Sequence, residues 1–175
     1  MELTEGCVIP TGLFVRAFRP HFRVRFAWDR LERERWPVRM GVVDSPRDLE
    51  GWFVPWYLRG GEESGFGDRW ANSIGLTDVP QLLGSLRPSR RDRIAALAAS
   101  FTGSREPVQL AVATYWLGSG RHLVLDGNHR LAALLLAVHP FTLIVFTVFG
   151  PLDSGVLPDI QHWLPSEVSY HDEHT

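Results

Sequence analysis

The sequence predicts an α+β domain, a small mixed sheet with packed helices, and three stretches carry that prediction. "RPSRRDRIAALAASF" reads as a helix. "VQLAVATYWLGSGRHLVL" reads as a hairpin. "DGNHRLAALLLAV" followed by "FTLIVFTV" reads as a helix leading into a buried strand.

Each assignment rests on spacing. Ile94, Leu97, Ala98 and Phe101 recur at helical intervals, and Ser89 stands three residues before Asp92, the spacing of a capping box, so a helix is expected from about 90 to 101. "TGSREP" ends it. "VQLAVATYWL" alternates with β-branched and aromatic content, "GSG" turns the chain, and "RHLVL" returns as the second strand. From Asn128 to Val138 a second helix places Leu131, Leu134, Leu135 and Val138 on one face, and "FTLIVFTV" is apolar enough for a strand buried on both sides.

The first eighty residues are less regular. In "HFRVRFAW", Phe22, Val24, Phe26 and Trp28 alternate with His21, Arg23 and Arg25, a half-buried strand pattern. "DRLERERW" fits a short polar helix or turn. "GWFVPWYLRGGEESGFGDRW" mixes aromatics with Gly and Pro and reads as an ordered loop. So many aromatic residues imply that residues 1–81 form an aromatic, Arg-rich extension packed on a core at 82–150, with 151–175 as a C-terminal tail whose end, "SYHDEHT", is expected to be mobile.

Composition narrows the function classes. The 175 residues carry a net charge of −2, so overall charge points neither to nucleic acid nor to an anionic membrane. All 18 basic residues are Arg, which excludes lysine-based covalent chemistry. The single Cys7, the acidic start and the absence of a long apolar run suit a cytoplasmic protein without disulfides. Charge is unevenly spread, with Arg in excess over 1–40 and 87–130 and acids in excess over 41–86 and 131–175.

The richest chemistry lies in the polar knot Asp126-Gly127-Asn128-His129-Arg130, set between a strand and a helix. Free N–H groups and the dipole at a helix start attract anions. Gly127 lets the backbone approach a ligand, and Asn128, His129 and Arg130 flank the same amides, Arg130 with a guanidinium able to grip phosphate through two hydrogen bonds. Asp126 would repel a bare phosphate, so its partner would be a metal ion or a sugar hydroxyl. Plainer roles exist for each: Asp126 and Asn128 are good cap residues, and Arg130 stands four residues after Asp126, the spacing of a simple ion pair.

The order helix, strand, turn, strand, "DGNHR", helix, strand resembles the ParB/sulfiredoxin superfamily, with "IAALAASFTGSREPVQLAV" and "GRHLVLDGNHRLAAL" as the matching text over roughly residues 82–149. Sulfiredoxins place a Cys where this chain has Asn128, so sulfinic-acid repair is not implied. ParB proteins bind CTP and continue into a helix-turn-helix, for which the 25 residues after the core are too few. The turn is most similar to that of the superfamily's amino-acid kinases, which hold ATP phosphates and Mg²⁺, and to a DGQHR variant in proteins associated with DNA modification. The resemblance thus implies a nucleotide-dependent enzyme acting by phosphoryl transfer or phosphate-ester hydrolysis on a small molecule, with ATP or another nucleotide and Mg²⁺ as cofactors. Asp126, His129 and Arg130 would be catalytic, Gly127 to Arg130 would hold the phosphates, and Asp126 would hold the metal. The family's kinases carry a carboxylate base before the first helix, where this chain has "RPSRR"; Asp78, Asp92 and Glu106 are other candidates. The alternatives are a nucleic-acid-associated protein, in which Arg16, Arg19, Arg23, Arg25 or the Arg87–Arg93 cluster would meet phosphates, and a non-catalytic nucleotide sensor. His171, Asp172, Glu173 and His174 form a weaker metal-ligand cluster.

Overall fold

The computed structural model describes residues 6–164. In chain order the elements are β1 (Cys7–Ile9), α1 (Thr11–Phe18), α2 (Trp28–Glu34), β2 (Val38–Val43), β3 (Trp52–Arg59), β4 (Glu62–Ser64), β5 (Asn72–Gly75), α3 (Val79–Leu82), α4 (Pro88–Thr102), β6 (Val108–Gly118), β7 (Arg121–Asp126), α5 (Asn128–Ala137) and β8 (Phe141–Val148). The class is α+β, and the sheet is mixed. Its strand order is β1-β2-β8-β6-β7-β3-β4, with β5 also paired to β3. The pairs β6–β8 and β3–β7 are parallel, and all others are antiparallel.

Side chains alternate along a strand, so each strand feeds two cores. Val112, Val124, Leu143 and Val145 face a layer containing Ile94 and Ala98 of α4 and Leu131, Ala132, Ala133 and Leu134 of α5. Ala113, Tyr115, Leu123, Leu125 and Val148 face the other way. There they meet Phe14, Val15 and Phe18 of α1, Leu31 of α2, and Val156 to Trp163 near the described C-terminal end. The aromatic N-terminal region therefore covers one side of the sheet. Residues 38–75 also extend that sheet, through β2 on β8 and β3 on β7.

Several sequence expectations change. Residues 21–27 form no strand: the alternation of Phe22, Val24, Phe26 and Trp28 is real, but no partner strand runs beside them. Their rings instead pack with one another and with Phe14, Trp36 and Tyr115. The stretch expected as a loop is β3 and β4 with β5 alongside, because a register shift between Val54 and Tyr57 accommodates Pro55 in the strand. The capping box is absent: α4 starts at Pro88, whose fixed φ suits the first helical position, and Arg87 at the cap has no side-chain cap. β8 is fully buried on one face only: on the other, Ile144 is exposed and Thr142 and Phe146 are partly buried, leaving Val148 as its one buried residue there. Helix α1 and strands β1 and β2 had no clear periodic signal. "SYHDEHT" and the cluster His171 to His174 lie outside the described residues. Among the described residues, no helix is long and apolar enough to cross a membrane.

Val138 is the other departure. It is 89% exposed rather than on the buried face, and it closes α5 with φ 50° while its N–H returns to Leu134 O and Leu135 O. A β-branched residue is strained there. Val138→Gly is expected to stabilise the fold by about 1 kcal/mol, the left-handed penalty outweighing the added freedom of the unfolded chain. A denaturation midpoint raised without a change in slope would show it.

Candidate functional site

The polar knot sits where β7 gives way to α5. Gly127 adopts φ 96° at the helix cap, and the first helical hydrogen bond runs from Leu131 N–H to Gly127 O at 2.9 Å. That leaves the amides of Asn128, His129 and Arg130 outside the helical ladder. No side chain caps this end. Asp126 is instead held by Arg130, whose Nη2 lies 3.2 Å from Asp126 Oδ2 and 3.5 Å from Ala111 O. The simple ion pair at this spacing is therefore present, alongside open amides. Asn128 Oδ1 is buried with no hydrogen-bond partner among the described residues.

All five knot residues line one cavity of about 1030 Å³, large enough for a cofactor-sized ligand. Arg23 and Arg25 reach it from the segment after α1, Arg87, Arg90 and Arg93 from the start of α4, and Glu63 to Phe66 from β4 and the turn that follows it. Two Arg-rich stretches far apart in sequence thus converge on the knot. Other arginines do not: Arg19 pairs with Asp29 and Glu32, and Arg91 with Asp92, at the surface.

One wall of the cavity is a stack of interlocked groups. The Glu63 side chain, 4% exposed, accepts from Arg90 Nη2 at 3.0 Å, from Arg90 Nε at 3.1 Å and from the Arg87 N–H at 2.9 Å. Burial alone would push its carboxyl up, but the Arg90 hydrogen bonds and the Arg87 amide bring it below the ordinary value. Arg90 lies 4.3 Å over the Trp56 ring, and Trp56 packs 5.2 Å from His129. Burial, with Arg90 and Arg93 nearby, lowers His129 to about 4. It is therefore a neutral imidazole at neutral pH rather than a cation, and an anion entering beside it would raise that value.

Charge in the cavity is lopsided. Six arginines, Arg23, Arg25, Arg87, Arg90, Arg93 and Arg130, face three carboxylates, Glu63, Asp126 and Asp159. Glu63 and Asp126 are paired with arginines. The surplus, together with the α5 amides, suits a ligand bearing more than one negative charge. Among the described residues no group of three or more His, Cys, Asp or Glu side chains could hold a metal ion. Asp126 is the knot's one carboxylate, which fits an Mg²⁺ ion that takes most of its ligands from phosphate and water. The base candidates Asp78, Asp92 and Glu106 do not line the cavity. Glu63, Trp56 and Asp159 do, and nothing in their local sequence marks them, because the first two come together through strand pairing and Asp159 joins them only through the fold of the segment after β8. No family model, no curated protein and no solved structure matches the chain.

Proposed function

We propose that this cavity binds a nucleotide through its phosphates, and that the chain is a nucleotide-dependent enzyme of the ParB/sulfiredoxin-like type. The reaction would be phosphoryl transfer or phosphate-ester hydrolysis on a small molecule. One observation carries the reading: arginines from two distant segments and the open amides of Asn128 to Arg130 line the same cavity. Phosphate oxygens would accept from those amides, and Arg130 and Arg93 would offset charge building on the transferring group. Asp126, released from Arg130 by the incoming phosphate, would hold Mg²⁺.

A thermal-shift series with ATP, CTP and GTP, each with and without Mg²⁺, tests this. Binding to the folded state raises the melting temperature by mass action, about 2.7 kcal/mol at a hundredfold excess over Kd. Arg130→Ala is expected to lose most of the shift. No shift with any nucleotide, or an equal shift in wild type and Arg130→Ala, overturns the reading.

A second reading has its own support. Phe66, 51% exposed, carries Arg25 at 4.5 Å, and Trp70, 66% exposed, carries Arg69 at 4.8 Å, and such pairs stack unpaired bases. If a single strand is the partner, its affinity falls steeply with salt and with Phe66→Ala or Trp70→Ala.

A further inference from the structure

The nucleotide reading leaves the phosphoryl acceptor without a place, and another part of the cavity lining offers one. Glu63 and Asp126 are engaged by arginines, whereas Asp159 has no cationic partner among the described residues. It is only 5% exposed, and it lies just before the single helical turn Ile160–His162. Asp159 Oδ2 accepts from the Gly67 N–H at 3.2 Å, and the Tyr57 hydroxyl lies close enough to feel this carboxylate's charge. Burial, and next the Asp159 charge, push the Tyr57 hydroxyl far above its ordinary value, so Tyr57 keeps its proton beside Asp159.

A carboxylate has room for about four hydrogen bonds, so Asp159 retains acceptor capacity for a ligand. A buried, unpaired carboxylate in a cleft is costly unless something donates to it. Trp163, 3% exposed and lining the same cavity, carries an indole Nε1–H with no partner among the described residues. A group that accepts hydrogen bonds and a group that donates one thus line the same cavity. A hydroxyl satisfies both, while an ammonium group can only donate.

We infer that Asp159, held by the Gly67 amide and flanked by Tyr57, is the proton acceptor for an alcohol substrate, with Trp163 holding the same hydroxyl. This rests on the nucleotide reading. In the step, the hydroxyl oxygen attacks the terminal phosphorus and a new O–P bond forms. The bond from that phosphorus to the bridging oxygen breaks, its electron pair leaving with the nucleoside diphosphate. The hydroxyl proton passes to the Asp159 carboxylate. Water in the alcohol's place gives inorganic phosphate by the same balance.

The test pairs nucleotide binding with turnover. Wild type is incubated with ATP and Mg²⁺, alone and with a panel of small alcohols, and phosphate and phosphomonoester are followed by phosphorus NMR. Asp159→Asn is expected to keep the wild-type thermal shift with ATP and to lose about 100-fold or more in turnover, together with the acidic limb of the pH–rate profile. Tyr57→Phe is expected to keep the fold and move that limb, and it serves if Asp159→Asn does not fold. Wild-type turnover in Asp159→Asn, an unmoved limb in Tyr57→Phe, or ATP binding by wild type without any transfer or hydrolysis overturns the inference and leaves nucleotide binding standing. Absence of a thermal shift with ATP, CTP and GTP alike overturns both.

Discussion

Gly127→Ala is expected to cost about 2–4 kcal/mol and to weaken any anion bound at α5. Two terms add. The residue sits at φ 96°, where a side chain is strained by about 1–2 kcal/mol. An added Cβ would also stand 2.8 Å from Val112 Cγ1, and Val112 is a stiff, fully buried side chain in β6 that cannot swing away. Gly60 separates the terms, since it has φ 61° but no atom within 4 Å of an added Cβ. Gly60→Ala should therefore show the conformational cost alone. Gly127→Ala combined with Val112→Ala should lose less than the sum of the two single changes, as expected for side chains in contact. Equal losses for Gly60→Ala and Gly127→Ala in urea denaturation would remove the close approach from the account of this corner.

The second large effect is loss of stability in acid. His122 lies at the centre of the sheet, 2% exposed, with Trp52 and Trp116 rings at 4.9 and 5.0 Å. Its Nδ1 is 3.2 Å from Thr114 Oγ1, itself 3.0 Å from Thr147 Oγ1, so one polar chain ties β7, β6 and β8 together. Burial lowers the ring to about 4, against 6.5 when unfolded. The unfolded state therefore binds the proton first. This contribution is complete above about pH 6.5 and is lost as pH falls toward 4, amounting to about 3 kcal/mol. His129 adds to the same window with the same sign, less strongly because it is only partly buried. Glu63, held below its ordinary value, is lost at lower pH still. Replacing His122 with Gln should flatten the slope of stability between pH 6.5 and 4. An unchanged slope would mean that His122 is not the group being protonated.

What could be read in advance followed periodicity. α4, the β6–β7 hairpin, α5 and β8 each carry a local pattern, and their packing partners lie mostly among themselves. The knot was legible for a similar reason, since Asp126 to Arg130 are contiguous. β3 was hidden because its irregular register lets Pro55 sit inside a strand, which puts Trp56 toward His129 and Tyr57 toward Trp163. Residues 21–27 misled in the opposite sense, showing alternation without a ladder. Glu63 and Asp159 were invisible in sequence. The first gains its role only when β4 pairs with β3 and meets the start of α4, and the second only when a residue 92 positions away donates its amide.

The central claim is that the amides opening α5 receive phosphate oxygens. It is tested most directly by titrating ATP and Mg²⁺ into labelled protein while following the backbone amide resonances of Asn128, His129 and Arg130. The expected result is that these three move first and furthest, saturating together, and that Arg130→Ala raises the concentration needed at least tenfold. Amides that stay in place while the nucleotide binds elsewhere, or a spectrum that does not change at all, would contradict it.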